Sequence, residues 1–208
     1  MYVIGFVDNI FDLLPDYQTR LERYGIKLLF PEAGKSKHEI VQWILSNNIR
    51  CLLVDYKLRS DFDFVGTDLV AYINSELPDL PCMILTAYTP ESLNEKLVIK
   101  NMIESRETFE KSLDSFVEEL KQAVDVFSMR LELRETEYRV LLAAKQNGRI
   151  TAQQEERLGY IYRLLRSYGE VDDIPIELLK PEMESKIDLL INKLDDFLEN
   201  MSSKKEGK

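Results

Sequence analysis

The stretch Cys51-Leu52-Leu53-Val54-Asp55-Tyr56-Lys57-Leu58 decides the fold. Its four apolar residues run without alternation, which suits a strand buried on both faces; a strand with one wet face would alternate. The run stops on a carboxylate, so Asp55 marks a strand end. The same grammar recurs on either side. Tyr2-Val3-Ile4-Gly5-Phe6-Val7 stops on Asp8, Ile26-Lys27-Leu28-Leu29-Phe30 is a shorter run, and Pro81-Cys82-Met83-Ile84-Leu85 stops on Thr86. Amphipathic stretches separate these runs. Leu13, Leu14, Tyr17 and Leu21 predict a helix over 12–24 that ends at Gly25; Ile40, Val41, Ile44 and Leu45 predict one over 37–46; Leu69, Val70 and Ile73 predict one over 66–77. Strand and helix in strict turn build a parallel sheet covered on both faces. The expectation is an α/β, doubly wound five-strand sheet. A further helix is expected over 91–98, and the fifth strand, the weakest, at Thr108-Phe109-Glu110.

Beyond Ser112 the turn residues thin out. Leu113, Val117, Leu120, Val124, Phe127 and Leu131 step by four and three residues, the seam of a coiled coil, and Tyr138 and Leu141 resume it. One long helix is expected from Leu113 to about Asn147, stopped by Gly148. Thr151-Ala152-Gln153-Gln154 has the form of a capping box opening a second helix through Leu158, Ile161, Tyr162 and Leu165. Pro181 to Met201 repeats the seam spacing, and 202–208 is polar enough to be disordered. The division expected is thus 1–124 for the α/β domain, 125–201 for an all-α region, a coiled coil with a second copy or a helical hairpin within the chain, serving output or dimerisation, and 202–208 for a tail.

Composition narrows the function. With 27 Lys+Arg against 37 Asp+Glu the formal charge is −10, which repels phosphate backbones and anionic lipid. From Val126 to Gly169 eight basic residues oppose five acidic ones, an excess of +3 that fits a solvated, salt-bridged helix face better than a DNA-reading element. Nucleic acid and membrane are therefore not expected partners. The first twelve residues lack a basic segment, and no run approaches the roughly 18 apolar residues of a membrane span, so a cytoplasmic protein is expected. Cys51, Cys82 and the lone His38 offer no disulfide framework and no zinc-ligand spacing. Both cysteines read as small buried hydrophobes, His38 as solvated, and Trp43 as the flank of a core face.

The chemistry-bearing residues fall together. Asp8, Asp55 and Thr86 end strands one, three and four, and Lys111 follows the expected fifth. Carboxyl ends of parallel strands are where such sheets build their sites. Two carboxylates, a hydroxyl and an ammonium suit a phosphoacceptor: the acids hold Mg²⁺ through oxygen, one attacks a phosphoryl group, and the others hold its oxygens. No nucleophile with an adjacent base is visible, so an enzyme is not expected.

At this point residues 1–124 resemble the receiver domain of two-component response regulators. Phe6-Val7-Asp8-Asn9 is similar to the strand end carrying the family's acidic pair, and Leu52-Leu53-Val54-Asp55-Tyr56-Lys57-Leu58 to its phosphoacceptor strand. Gly66-Thr67-Asp68-Leu69-Val70 is similar to the opening of its third helix. Leu80-Pro81-Cys82-Met83-Ile84-Leu85-Thr86-Ala87 is close to its fourth strand with the switch threonine, and Phe109-Glu110-Lys111-Ser112 can be placed on its lysine motif. The resemblance implies a flavodoxin-like fold and a phosphorylated Asp55. It also implies Mg²⁺ held by Asp8, Asp55, Asn9 and the Lys57 backbone carbonyl, with Thr86, Ala87 and Lys111 touching the phosphoryl group. Implied partners are a histidine kinase or phosphotransfer protein, an effector met through the helical region, and a second copy of the chain.

Five departures qualify this. Asn9 stands where the family has a second acid, which removes a charge from the metal site and weakens Mg²⁺. Arg59 replaces a proline, and the stretch 59–65 is longer than the family's. Ser112 replaces the proline after the lysine, and Thr108 stands at the aromatic position. The leading expectation is a signalling protein phosphorylated at Asp55. The alternatives are a receiver-like docking module without phosphotransfer and, third, a DNA-binding regulator.

Overall fold

The computed structural model describes residues 1–10, 14–87, 103–171 and 193, without the side chains of 108–110. Five strands, β1 (Tyr2–Val7), β2 (Ile26–Leu29), β3 (Cys51–Val54), β4 (Cys82–Thr86) and β5 (Ile103–Ser105), form one all-parallel sheet in the order β2-β1-β3-β4-β5. The described helices are α1 (Leu14–Glu22), α2 (Lys37–Ser46), α3 (Gly66–Glu76), α4 (Arg106–Lys111), α5 (Leu113–Gln146) and α6 (Ala152–Ser167). The expected doubly wound α/β sheet, followed by helices, is the observed architecture.

Each strand faces two layers, which is why the apolar runs are unbroken. On one face Ile4, Phe6, Ile26, Leu28, Cys51, Leu53 and Leu85 pack with Leu14, Tyr17 and Leu21 of α1 and with Phe116, Val117, Leu120 and Val124 of α5. On the other, Gly5 lies against Leu52 and Trp43 of α2, leaving no room there for a side chain. Helix α2 starts on the full capping box of Ser36 and Glu39, which satisfies orphan backbone donors at its N-terminus.

One expectation changes and one open choice is decided. The fifth strand is Ile103–Ser105, and 108–110 belong to α4. Only Ile103 of this strand is buried, so three residues at the sheet edge leave no apolar run for a sequence reading to find. The seam from Val117 to Leu131, for which packing within the chain and pairing with a second copy both stood open, is buried in the chain's own core: Val117, Leu120 and Val124 meet the sheet, and the Phe127 ring meets that of Tyr168 at 5.3 Å. An amphipathic helix covering a sheet and one pairing with another helix share the same spacing, and here the sheet takes the apolar face.

The chain divides into two compact units, residues 1–133 with 167–169, and residues 134–166 with 170–208. In the second unit, Gly148 takes the left-handed conformation (φ +65°) that ends α5. The predicted capping box follows, with Thr151 and Gln154 exchanging backbone and side-chain hydrogen bonds of 2.9 and 3.3 Å. Arg157 grips Glu137 through two bonds of 2.8 Å, joining α6 to α5. The helix expected over 91–98, the one expected over 181–201 apart from residue 193, and the tail 202–208 lie outside the described residues. Among the described residues no helix is long and apolar enough to cross a membrane.

Candidate functional site

The strand order reverses between β1 and β3, and the site is there. Val7 pairs in register with Val54, so the residues that follow, Asp8 and Asp55, leave the sheet side by side, and Asp55 N donates to Val7 O at 2.8 Å. Crevices at such switch points are where parallel sheets bind ligands. Both acids are buried, at 2% and 3% exposure, and Thr86 at the end of β4 is fully buried. Ala87 next to it is exposed.

Each carboxylate is held by backbone on one oxygen. Asp8 Oδ1 accepts from Asn9 N at 2.7 Å and Ile10 N at 3.1 Å, while Asp55 Oδ2 accepts from Lys57 N at 2.9 Å. Asp8 therefore also shapes the local turn. Gly66 opens α3 directly against this strand end, its N–H donating to Tyr56 O at 2.9 Å; a Cβ there would stand 2.0 Å from the Asp55 carbonyl oxygen.

The other two oxygens meet one cation that the sequence reading missed. Thr86 pairs with Ser105 across β4 and β5, and Arg106 follows at once. Its Nη2 lies 2.8 Å from Asp8 Oδ2 and 3.0 Å from Asp55 Oδ1. Burial would lower the guanidinium's pKa, but the charges of Asp8 and Asp55 outweigh it and hold it above its ordinary value. Lys111, the residue expected in this role, is not brought to the acids: it is exposed on α4 and pairs with Glu107 at 2.6 Å. The available signal was a basic residue directly after a strand, hidden because the strand itself was placed five residues late.

Solved structures similar to this chain include receiver domains of response regulators. One, from Clostridium thermocellum, is 18% identical with a TM-score of 0.49, and the match covers 62% of this chain and 98% of that one. The response regulator TrrA of Thermotoga maritima, solved in complex with Mg²⁺-BeF, is 17% identical with a TM-score of 0.45, covering 58% and 99%. The RcsB response regulator of Salmonella typhimurium, in a structure concerned with DNA interaction, is 15% identical with a TM-score of 0.48, covering 83% and 94%. No family model matches the sequence, and no curated protein is similar to it. The fold itself is fixed by the strand order already described.

By the resemblance read in the sequence, a divalent ion here would take oxygens from Asp8, Asp55, Asn9 and the Lys57 carbonyl. The residues as arranged do not fit it. Arg106 Nη2 already lies 2.8 and 3.0 Å from the two carboxylates and supplies the positive charge that an ion would bring. Among the described residues no third acidic, His or Cys side chain joins the pair. Beside the acids, a cavity of about 460 Å³ is lined by Asn9, Tyr56, Lys57, Arg59, Ser60 and Val65. The long loop that forms it is anchored by buried Leu58, Phe62 and Phe64.

The remaining candidates are structural. Cys51 and Cys82 are buried free thiols; burial pushes the Cys51 thiol up to about 12 and the Cys82 thiol higher. His38 is exposed and Trp43 half-buried on α2.

Proposed function

We propose that this protein is a non-catalytic signalling module in which a receiver-like unit serves as a docking element without phosphotransfer at Asp55, and the helical unit carries the contacts to an effector protein. One observation supports this above the others: both oxygens of Asp55 are engaged, Oδ1 by Arg106 at 3.0 Å and Oδ2 by Lys57 N at 2.9 Å. Attack on phosphorus needs an Asp55 oxygen turned to the phosphoryl group and cationic groups that draw on the phosphoryl oxygens, so the 3.0 Å contact to Arg106 must first be given up. Here the buried cation is spent on the acids themselves, and Lys111 is spent on Glu107. The −10 charge favours a protein partner over nucleic acid. Contact with an effector or a second copy of the chain is read by pull-down and by light scattering.

The test is intact mass after incubation with Mg²⁺ and a small-molecule phosphodonor, with Asp55→Asn as control. No added phosphoryl group is the expected result. One phosphoryl group on the wild type, absent from Asp55→Asn, would overturn the proposal and restore the phosphoacceptor reading with its kinase partner.

A further inference from the structure

The docking reading leaves open how two buried carboxylates are tolerated side by side. Ions taken out of water cost several kcal/mol each unless paired and hydrogen-bonded. The usual answer in an all-oxygen site is a hard divalent cation. We infer that Arg106 is the resident cation of this site, a covalently attached substitute for a divalent ion, and that removing its charge uncovers a divalent-cation site on Asp8 and Asp55.

Three features carry this. First, a single nitrogen, Nη2, contacts both carboxylates, at 2.8 and 3.0 Å, as a bridging ion would. Second, the oxygens divide cleanly: Asp8 Oδ1 and Asp55 Oδ2 are taken by backbone N–H groups, which leaves Asp8 Oδ2 and Asp55 Oδ1 for the cation. Third, the buried Nη1 of Arg106 has no hydrogen-bond partner among the described residues. A guanidinium placed for its hydrogen bonds would use its fork; one that leaves a buried N–H unmet is held there by charge. Because Arg106 follows Ser105 on the strand beside β4, its tether is short and its local concentration high, so a dissolved ion competes poorly. Arginine also stays charged at any pH the fold survives, which makes the neutralisation permanent.

The inference builds on the docking reading but is tested separately from it. Thermal unfolding of the full chain is followed with chelator, with Mg²⁺ and with Mn²⁺, for the wild type, Arg106→Met, and Arg106→Met combined with Asp55→Asn. The wild type is expected to melt at one temperature under all three conditions. Arg106→Met is expected to melt lower in chelator and to gain roughly 5 °C or more with Mn²⁺, because a ligand that binds only the folded state stabilises it. The double variant is expected to lose that gain. A wild-type melting temperature that climbs with either ion, or a folded Arg106→Met that ignores both, would overturn the inference. If Arg106→Met does not fold, direct Mn²⁺ titration of the wild type and Arg106→Gln decides. Binding by the glutamine variant roughly tenfold or more tighter than by the wild type supports the inference, since the neutral amide leaves both carboxylates without a counter-charge; equal binding by both overturns it. The two readings fail differently: metal-free phosphoryl uptake by the wild type defeats the docking reading alone, and divalent binding by the wild type without uptake defeats this inference alone.

Discussion

Gly66→Ala offers a test of the site's backbone in which two effects of opposite sign compete. Gly66 begins a helix, and no unusual backbone conformation holds it there, so the general expectation for Gly→Ala is a gain of about 0.4–1 kcal/mol from reduced freedom of the unfolded chain. The packing says otherwise. A Cβ at this position would lie 2.0 Å from the Asp55 carbonyl oxygen and 2.9 Å from its carbon, against the 3.4 Å where ordinary contact begins. The clash is with backbone, so no rotamer relieves it. Helix α3 must retreat from the end of β3 by about 1.4 Å, the difference between 3.4 and 2.0 Å, and that stretches the 2.9 Å bond from Gly66 N to Tyr56 O. Overpacking costs about 1–3 kcal/mol and a lost hydrogen bond about 1 kcal/mol more. Less the entropic gain, a net loss of about 1–3.5 kcal/mol is expected. Gly159→Ala in α6 is the matched control: the nearest atom to its Cβ would be the flexible Arg163 Nη1 at 3.7 Å, so this change is expected to stabilise by about 0.5–1 kcal/mol. Urea unfolding by circular dichroism compares the two, and fluorescence of the lone Trp43 reports the α/β unit separately. A Gly66→Ala variant as stable as the wild type would refute the reasoning, because it would mean that Asp55 is not pressed against α3.

Other outcomes follow from the same geometry. Tyr168→Phe removes the hydroxyl that donates to the Pro78 carbonyl but keeps the ring against Phe127, so a loss of about 0.5–1.5 kcal/mol in urea is expected; Tyr168→Ala should cost visibly more. Arg157→Lys cannot reproduce the two 2.8 Å bonds to Glu137, and on this half-exposed pair the loss should stay under about 1 kcal/mol and shrink with salt. The hydrogen bond from Arg157 holds the Glu137 carboxyl below its ordinary range, against a smaller opposing effect of burial. That stabilisation is present above the ordinary carboxylate value and lost as pH falls through the lowered one, so the wild type and Arg157→Lys should converge in acid. Cys51, pushed up by burial from 9.0 to about 12, should resist thiolate-directed labelling at mildly alkaline pH until the chain unfolds. Because the unfolded thiol releases its proton first, stability should fall as pH rises from about 9 to about 12. Labelling of the native protein at the unfolded rate would contradict the burial of Cys51.

The sequence alone determined the α/β unit, because a parallel strand covered on both faces must be apolar without interruption. Cys51–Val54 and Tyr2–Val7 therefore announce their limits, and with them the acids Asp8 and Asp55 just beyond. Helix boundaries set by local chemistry were equally legible: Lys37–Ser46, the Thr151 capping box and the stop at Gly148 depend on neighbours in the chain. Tertiary structure alone decided the rest. The spacing from Val117 to Leu131 serves a sheet or a second helix equally well, and only the position of the core shows which one covers it. Strand β5 joins the sheet through its pairing with β4 rather than through apolar residues of its own, so its place, and the arginine that follows it, could not be read locally. The charge that settles the site is held by residues nearly a hundred positions apart: Asp8 and Arg106 meet because β1 and β5 flank β3 and β4 in one sheet, a long-range fact that no window of sequence contains.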